Sequence, residues 1–293
     1  MKKLPEPFAR IGLAANHGKT SSGPLLRRAA RLIAQTGRQI LCDEATSRLD
    51  TFSATVVPDL AALARACDLL LVFGGDGTML RAVRECKGAQ TPILGINVGR
   101  LGFLTAVPSS NLVSALKKIW ANEFSVQPRA LLEATCDQHG TSIDLCALND
   151  IVISRSAARM IELEVSVNGE SLTRYRSDGL IVSSPTGSTA YSLSAGGAIV
   201  SPEAAVFAIT PICPHTLTNR SVIVGLNSII KVKVISRNPE TTVTADGQIE
   251  NNLRPGDVLT IRRSRRVVRL VRLSGSSFFN TLRQKLHWSG SNV

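Results

Sequence analysis

The sequence predicts an N-terminal Rossmann-like α/β domain with a parallel sheet, followed by a β-rich, β-sandwich-like C-terminal domain. Residues 1–127 alternate short apolar runs with amphipathic stretches of helical spacing. After residue 128 the apolar runs become β-branched, often alternate with polar residues, and are separated by turn residues. The length of 293 residues is close to twice the typical domain of ~150 residues, which favours two domains.

In the N-terminal domain, strands and helices are predicted in alternation. Predicted strands are 9–15, 39–42, 68–73 and 92–96, and predicted helices are 24–36, 78–85 and 111–120. The strand segments are apolar without alternation, which is typical of parallel strands buried on both faces. Ligands of such sheets bind outside the carboxyl ends of the strands.

The β-rich domain is predicted to span residues 128–273. Asn168 and Gly169 separate two alternating runs, and this dipeptide is the preferred sequence of a two-residue hairpin turn. Residues 274–293 form a third segment, in which 278–288 have a helical pattern. We expect this C-terminal helix to pack back on the first domain.

The charge of +12 suggests a polyanionic partner, such as nucleic acid, an acidic membrane surface or phosphorylated small molecules. Arginines are densest between Arg262 and Arg272, interleaved with valine and leucine, as in a strand with one solvated face. Aromatic residues make up only 4% of the chain, too few for the stacking surfaces of single-strand binders. We therefore expect no nucleic-acid partner.

The six cysteines include no C-x-x-C pair, and the four histidines form no metal motif. We expect reduced thiols and no transition metal held by side chains. No apolar run approaches the ~20 residues that a membrane helix needs, and the N-terminus lacks the apolar stretch of a signal peptide. The sequence thus predicts a cytoplasmic protein that does not bind membranes.

A glycine-rich turn follows the predicted strand 68–73. It consists of Gly74, Gly75, Asp76, Gly77 and Thr78. Its glycines allow close approach of an anion, and the following helix N-terminus favours phosphate. Asp76 repels phosphate, so it fits better as an acceptor for a hydroxyl proton or as a group that orients a metal-bound phosphate. Alternatively, Asp76 only caps the helix.

Two further segments carry polar residues beside apolar runs. In Asn97-Val98-Gly99-Arg100-Leu101-Gly102-Phe103-Leu104, the glycines permit a tight loop, and Phe103 either covers an adenine ring or belongs to the core. Asn149 and Asp150 open another predicted strand. A carboxylate there can accept hydrogen bonds from both hydroxyls of a ribose; the alternative is that the pair only forms an Asx turn.

The most specific segment is 175–203, which is rich in Gly, Ser and Thr and poor in charge. Residues 186–190 offer hydroxyl and N–H groups suited to an adenine edge or a diphosphate. Asp178 is suited to accept from a carboxamide, and Arg176 to meet a phosphate. Tyr191 is either a ligand contact or a packing residue.

These segments together resemble the NAD kinase family, in particular the bacterial ATP-NAD kinases. The glycine-rich turn is shared with diacylglycerol-type lipid kinases and, with a final Ser, with phosphofructokinases, whereas N-x-G-x-L-G-F-L is similar to the NAD kinase pattern. The resemblance implies phosphorylation of the 2′-hydroxyl of the adenosine ribose of NAD by ATP, with Asp76 as the catalytic residue. It also implies nucleotide-binding roles for Gly74, Gly75, Asp76, Gly77, Thr78, Phe103, Asn149, Asp150, Arg159, Arg176, Asp178, Thr189, Ala190, Tyr191, Ser192, Leu193, Ser194 and Gln248.

The same resemblance implies Mg²⁺ or another divalent cation bound through the nucleotide phosphates, and a homo-oligomer, either a dimer or a tetramer. Two alternatives remain from the residues alone. One is a lipid kinase that shares the glycine turn, but its acceptor groove would be apolar, whereas segment 175–203 is polar. The other is a non-catalytic nucleic-acid-binding protein, which would account for the arginines.

Overall fold

The computed structural model describes residues 8–15, 22–105, 107–138, 141–155, 160–216, 218–236 and 241–288. The chain divides into two compact units. Unit 1 comprises Met1–Pro128 and Val268–Val293, and unit 2 comprises Arg129–Val267. Each unit has its own hydrophobic core.

Unit 1 contains a parallel sheet with helices, as predicted. Its strands are β1 (Arg10–Ala15), β2 (Gln39–Asp43), β3 (Thr55–Val57), β4 (Leu69–Gly74), β5 (Ile93–Asn97) and β6 (Val107–Pro108). Its helices in this part of the chain are α1 (Gly23–Ala34), α2 (Glu44–Ser47), α3 (Leu60–Ala66), α4 (Asp76–Glu85) and α5 (Leu112–Trp120). The strand order β5-β4-β1-β2-β3 is parallel throughout.

This strand order positions the glycine-rich turn. The chain runs outward from β1 to β2 and β3 on one side and to β4 and β5 on the other. The order therefore reverses between β1 and β4, and ligands of open α/β sheets bind at the carboxyl ends of the strands at such a reversal. All six residues of β4 are buried, and β4 ends at Gly74.

The short elements α2, β3 and α3 were not among the predicted ones. Helix α3 has the sequence LAALARA, in which apolar residues are too frequent to show an amphipathic pattern. Its start is nevertheless marked, because the Asp59 side chain accepts a hydrogen bond of 2.7 Å from the N–H of Ala62.

At the end of α5, Trp120 is half-buried, and the Arg38 guanidinium lies 3.8 Å from the centre of its ring. The other tryptophan, Trp288, follows the C-terminal helix and is 53% exposed. Both tryptophans belong to unit 1, whereas both tyrosines, Tyr175 and Tyr191, belong to unit 2.

Unit 2 is β-rich, as predicted. The strands from β7 onward are β7 (Phe124–Gln138), β8 (Thr141–Ala147), β9 (Asp150–Arg155), β10 (Ile161–Val167), β11 (Glu170–Ser177), β12 (Gly179–Ser183), β13 (Val206–Ile212), β14 (Val222–Gly225), β15 (Ile230–Val234), β16 (Thr241–Ala245), β17 (Ile249–Leu253) and β18 (Val258–Leu273). A short helix, α6 (Tyr191–Ser194), interrupts them, and α7 (Phe278–Leu286) follows in unit 1. The chain passes between the units within β7 and within β18.

Two layers of antiparallel strands enclose the core of unit 2. One layer has the order β14-β13-β12-β9-β16-β17, and the other contains β11-β10-β15 followed by the first residues of β18. Buried residues of both layers, such as Leu180 and Val232, share one core. The predicted hairpin turn is confirmed, because Asn168 and Gly169 have φ angles of +53° and +90°.

The arginine-rich segment is a strand with a solvated face, as predicted. In β18, Arg262, Arg263, Arg265 and Arg266 are exposed, whereas Ser264 between them is buried. The Arg262 side chain donates a 2.6 Å hydrogen bond to the carboxylate of Glu133.

Candidate functional site

The glycine-rich turn joins the end of β4 to the start of α4. Gly75 is the N-cap of α4, and Asp76 is its first residue. The turn is compact because the Thr78 side chain occupies the space that a Cβ at Gly74 would need. The N-terminus of α4 thus lies directly at the carboxyl end of the buried strand, where the helix dipole favours an anion.

The Asp76 carboxylate binds the loop 103–105 rather than capping its own helix. Its Oδ2 accepts a hydrogen bond of 2.8 Å from the N–H of Phe103. Its Oδ1 accepts bonds of 3.0 Å from the N–H groups of Leu104 and Thr105 and of 3.1 Å from the Thr105 hydroxyl. No side chain caps α4, so the alternative in which Asp76 is a helix cap is wrong.

The loop that surrounds the carboxylate is organised by Asn97, which is buried at the end of β5. Its side-chain amide donates bonds of 2.7 Å to the carbonyl of Arg100 and to the Thr105 hydroxyl, and its Oδ1 accepts a 2.7 Å bond from the N–H of Gly99. A Cβ at Gly102 would collide with Oδ1 of Asp76. The loop therefore needs glycine at position 102 for close approach to the carboxylate.

Phe103 is half-buried and contacts α7. Its ring centre lies 6.2 Å from that of Phe278, and the ammonium group of Lys285 lies 5.8 Å from it. Both partners lie in unit 1. The ring is thus engaged by the C-terminal helix, while part of the side chain is accessible.

In unit 2, Asn149 and Asp150 lie where β9 begins. Asn149 is half-buried and Asp150 is buried, with 4% of its surface exposed. The carboxylate of Asp246 accepts hydrogen bonds from the three successive N–H groups of Leu148, Asn149 and Asp150, at 2.9, 2.7 and 3.3 Å. The backbone of the pair is therefore held by a residue about a hundred positions away in the sequence.

The carbonyl groups of the same segment are bound from β12 and the residue after it. The Ser184 hydroxyl donates a 2.5 Å bond to the carbonyl of Leu148, and its N–H donates a 2.8 Å bond to that of Asn149. The Ser183 hydroxyl also donates to the Asn149 carbonyl, at 3.3 Å. A Cβ at Gly187 would collide with this carbonyl oxygen, so the turn 186–189 packs directly on Asn149.

Burial raises the pKa of the Asp150 carboxyl to about 7, and the negative charge of Asp246 contributes in the same direction. The neighbouring positions on β12 and β16 are uncharged. Ser183 is paired with Asp150, and Ala245 is paired with Ile151. With this pKa, Asp150 differs from an ordinary aspartate in being protonated up to about neutral pH.

The Gly/Ser/Thr-rich segment forms a 3-10 turn (Thr186–Thr189) and α6. Its side chains differ in accessibility: Thr189, Ala190 and Leu193 are half-buried, Tyr191 and Ser194 are exposed, and Ser192 is fully buried. The Ser192 hydroxyl is hydrogen-bonded to that of Thr210 at 3.1 Å, which in turn lies 2.8 Å from the hydroxyl of Ser221. The hydroxyl of Ser192 thus faces the interior of the unit.

The other residues with implied roles are placed as follows. Arg176 is exposed on β11, and Asp178 is half-buried between β11 and β12, with its carboxylate 3.0 Å from the guanidinium of Arg155. Gln248 is exposed in the turn between β16 and β17. Arg159 lies outside the described residues, so its role stays a prediction.

Sequence reasoning missed Asn97, Thr105, Ser184 and Asp246 as parts of these arrangements. Asn97 and Ser184 lie inside segments that the sequence analysis singled out, whereas Asp246 does not, and its partners are 96–98 residues distant. Only the folded chain reveals such contacts.

Among the described residues, no group of three or more His, Cys, Asp or Glu side chains is placed to hold a metal ion. Nor does the described part of the chain contain a helix that is long and apolar enough to cross a membrane.

Two family models match the chain: the ATP-NAD kinase N-terminal domain over residues 11–124, and the ATP-NAD kinase C-terminal domain over residues 148–273. A curated relative from Syntrophotalea carbinolica, named NAD kinase, is 39% identical over 281 residues, which cover 95% of this chain and 98% of the relative.

Two solved structures are similar to the whole chain. An NAD kinase from Archaeoglobus fulgidus in complex with ATP has a TM-score of 0.74 and 27% identity, and the match covers 96% of this chain and 100% of that one. Yeast NADH kinase complexed with NADH has a TM-score of 0.87 and 24% identity, with coverage of 99% and 90%. The yeast structure bears on the fold alone.

Proposed function

Because the chain belongs to the NAD kinase family, we propose that it transfers the γ-phosphoryl group of ATP to the 2′-hydroxyl of the adenosine ribose of NAD, giving NADP and ADP. It is a phosphotransferase with an alcohol acceptor. The observation that carries the proposal is the Asp76 carboxylate, fixed by the backbone of residues 103–105 at the carboxyl end of β4.

The acceptor, NAD, is bound in this proposal by residues of unit 2. The carboxylate of Asp150 accepts from ribose hydroxyls, and Asn149 beside it adds an amide group that donates and accepts. Asp178 accepts from the nicotinamide carboxamide, with its charge held in place by Arg155. Further contacts come from Arg176, Gln248 and residues 189–194, of which Ser192 contributes through its backbone because its hydroxyl is bonded inside the unit.

The donor enters as the complex of ATP with a divalent cation, which is part of the substrate. The glycine turn and the N-terminus of α4 present backbone N–H groups and a positive partial charge to its phosphates. Protein carboxylates are not gathered for a cation in the described residues, and Asp76 already accepts four hydrogen bonds. This arrangement fits a cation that is held by the phosphates and neutralises their charge.

The chemical step needs alignment and one proton transfer. Asp76 takes the proton of the 2′-hydroxyl as its oxygen attacks the γ-phosphorus, and the bond from that phosphorus to the bridging oxygen of ADP breaks. Oδ2 of Asp76 is suited to this because it accepts one hydrogen bond, whereas Oδ1 accepts three. Holding two reactants in line supplies roughly 7–11 kcal/mol of the barrier in such reactions.

The proposal is tested by incubating the purified protein with NAD, ATP and Mg²⁺ and measuring NADP with an NADP-specific dehydrogenase. We expect NADP to form in proportion to enzyme and time, and to be absent without ATP. Parallel reactions with polyphosphate and with NADH define the range of donors and acceptors. No NADP formation by a folded protein with either donor would refute the assignment.

The lipid kinase and the nucleic-acid-binding alternatives are not favoured, because the family match extends over both units rather than over the glycine turn alone. A lipid kinase would require diacylglycerol-containing liposomes for turnover. A nucleic-acid-binding protein would retain duplex DNA at ~0.2 M salt, where contacts to phosphates alone weaken steeply.

We further propose that the enzyme works in the cytoplasm as a dimer or tetramer. All six cysteines lie in the described part of the chain and none is in a disulfide, and Cys213 is exposed, which fits a reducing compartment. Edge strands such as β14, where Ile223 is 45% exposed, are surfaces on which copies of a β-rich unit pair. Sedimentation analysis measures the number of copies.

A further inference from the structure

We propose that Asp246 is a positioning residue that fixes Asn149 and Asp150 for recognition of the dinucleotide. The inference rests on the proposed function. Asp246 lies in the turn between β16 and β17 and is itself outside the set of residues that the NAD kinase resemblance assigns to the nucleotide. Its role follows from hydrogen bonds that join two distant segments of unit 2.

The contact is specific for a carboxylate in this position. Two oxygens accept from three successive N–H groups, and the N–H of Asp246 donates a 3.0 Å bond back to the carbonyl of Asp150. A single acceptor oxygen cannot reach all three donors in this geometry, and a side chain with an N–H₂ group would turn a donor toward a donor.

The backbone of Asp246 is adapted to the same task. Its φ angle is +52°, and Gly247 follows with +63°. Residues other than Gly, Asn and Asp rarely adopt this left-handed conformation. The turn thus aims the carboxylate at residues 148–150, and of the residue types that tolerate the conformation only Asp supplies two acceptor oxygens.

The opposite edge of the segment is bound as well. Ser184 and Ser183 donate to the carbonyl groups of Leu148 and Asn149. With N–H groups bound by Asp246 and C=O groups bound by the serines, the backbone of residues 148–150 has little freedom. The backbone positions from which the Asn149 and Asp150 side chains project are therefore fixed before the dinucleotide arrives, which lowers the entropy lost on binding.

Asp246 also places a negative charge near the buried carboxyl of Asp150. On β12 the uncharged Ser183 pairs with Asp150, and on β16 the uncharged Ala245 pairs with the adjacent Ile151, so the charge that acts on Asp150 comes from the hairpin turn. If ionised Asp150 accepts from ribose hydroxyls, the KM for NAD rises at acidic pH. Removing the charge of Asp246 shifts this rise of KM to lower pH, an effect that a loss of stability alone does not produce.

Two variants separate the contributions. Asp246→Asn preserves the backbone conformation but has one acceptor oxygen and no charge, and Asp246→Gly preserves the conformation without any acceptor. The matched control is Asp257→Asn. Asp257 is a buried carboxylate that accepts a 2.7 Å bond from a backbone N–H, that of Arg254, and it lies in a different turn, between β17 and β18.

We expect Asp246→Asn to raise the KM for NAD roughly 10- to 100-fold, the cost of losing hydrogen bonds to a charged group, with little change in the KM for ATP. In this variant the decrease of kcat/KM for NAD at acidic pH, the acid limb of the pH profile, occurs at lower pH than in the wild type. Amide hydrogen exchange of residues 148–150 becomes faster in Asp246→Gly, even without substrate. Asp257→Asn lowers thermal stability without changing the KM for NAD or the acid limb.

The outcomes are distinguishable. If wild-type protein makes NADP but folded Asp246→Asn and Asp246→Gly keep its KM for NAD, its acid limb and its exchange rates, the positioning role is refuted while the kinase assignment stands. If the wild type makes no NADP, the proposed function fails and the dinucleotide role of Asp246 fails with it. A change of stability alone, matched by Asp257→Asn, also overturns the inference.

Discussion

Asp76 in unit 1 and Asp246 in unit 2 use the same device, a carboxylate that collects three successive backbone N–H groups of a distant loop. They differ in surroundings. Asp76 is half-exposed in the first turn of a helix, whereas Asp246 lies in a left-handed turn beside another, buried carboxyl. The comparison teaches that one kind of contact can serve two purposes: in the proposed function the Asp76 contact leaves an accessible base, and in the inference above the Asp246 contact fixes the loop proposed to bind the dinucleotide.

The largest effect is expected for Asp76→Asn. We expect kcat to fall about 10²–10⁴-fold, because the proton acceptor is lost, with little change in NAD affinity. Steady-state kinetics and NAD titration measure the two quantities. The variant Thr105→Val removes one of the four hydrogen bonds to Asp76 and one accepted from Asn97, but it leaves the carboxylate and its three backbone donors, so its loss should stay below about tenfold. Equal losses in the two variants would mean that Asp76 acts only by holding the loop.

The second largest effect is expected for Gly102→Ala, which tests how the loop positions the Asp76 carboxylate. Its Cβ collides with Oδ1 of Asp76, and a displaced reacting group costs about 10²-fold in kcat/KM. The free energy of unfolding should fall by about 1–3 kcal/mol as well. Gly99→Ala is the control, because a Cβ at Gly99 meets no atom within 4 Å, and it should affect kinetics and urea unfolding much less. If Gly102→Ala and Gly99→Ala had the same kinetics and the same stability, the close approach of residue 102 to Asp76 would be contradicted.

A smaller effect is expected in unit 2, on the pH dependence of stability. The pKa of Asp150 is about 7 in the folded protein against an ordinary value of 3.8, so folding binds a proton between these limits. The favourable contribution of this proton to the free energy of folding is complete below about pH 4 and is lost as the pH rises through about 7. Asp150→Asn should therefore gain stability over wild type with rising pH, by at most about 1.4 kcal/mol per pH unit.

Urea unfolding of both proteins at several pH values between 4 and 8 measures this difference. In the background of Asp246→Asn, the stability that Asp150→Asn gains between pH 4 and 8 should be smaller, because one cause of the raised pKa of Asp150 is removed. Wild type and Asp150→Asn with parallel stability curves would show that Asp150 is not a neutral acid at low pH in the folded protein.

The smallest effect is expected for exposed charged side chains that lie outside the two carboxylate–loop contacts. Replacing Arg263 and Arg265 on β18 by glutamine should change the free energy of unfolding by no more than about 0.5 kcal/mol, and kcat should be unaltered. Both side chains are exposed. Thermal unfolding and the NADP assay measure these effects, and a large loss of activity would show that the arginine-rich face takes part in substrate binding.

The fold class and the location of the glycine turn were predictable because they depend on local patterns. Buried parallel strands such as β4 are apolar runs, and a strand followed by glycines and a helix can be read from the sequence directly. The family resemblance likewise depends on short motifs. The pattern also predicted the turn at Asn168 and Gly169, since the conformation of a two-residue hairpin restricts the residue types there.

What the sequence did not predict depends on contacts between distant residues. The bonds of Asp76 join residues 27–29 positions apart, and those of Asp246 join residues 96–98 apart. A sequence pattern contains no such distances. For the same reason, the burial of the Ser192 hydroxyl against Thr210 could not be foreseen in a segment that is polar throughout. The carboxylates themselves were visible in the sequence, but their partners were not.

The distribution of aromatic residues gives each unit its own optical signal. Trp120, beneath the Arg38 guanidinium, and the exposed Trp288 are in unit 1, and both tyrosines are in unit 2. Indole emission during denaturation therefore follows unit 1 alone, whereas tyrosine absorbance follows unit 2. Without any introduced label, a single titration can establish whether the two halves of the chain melt together or in sequence.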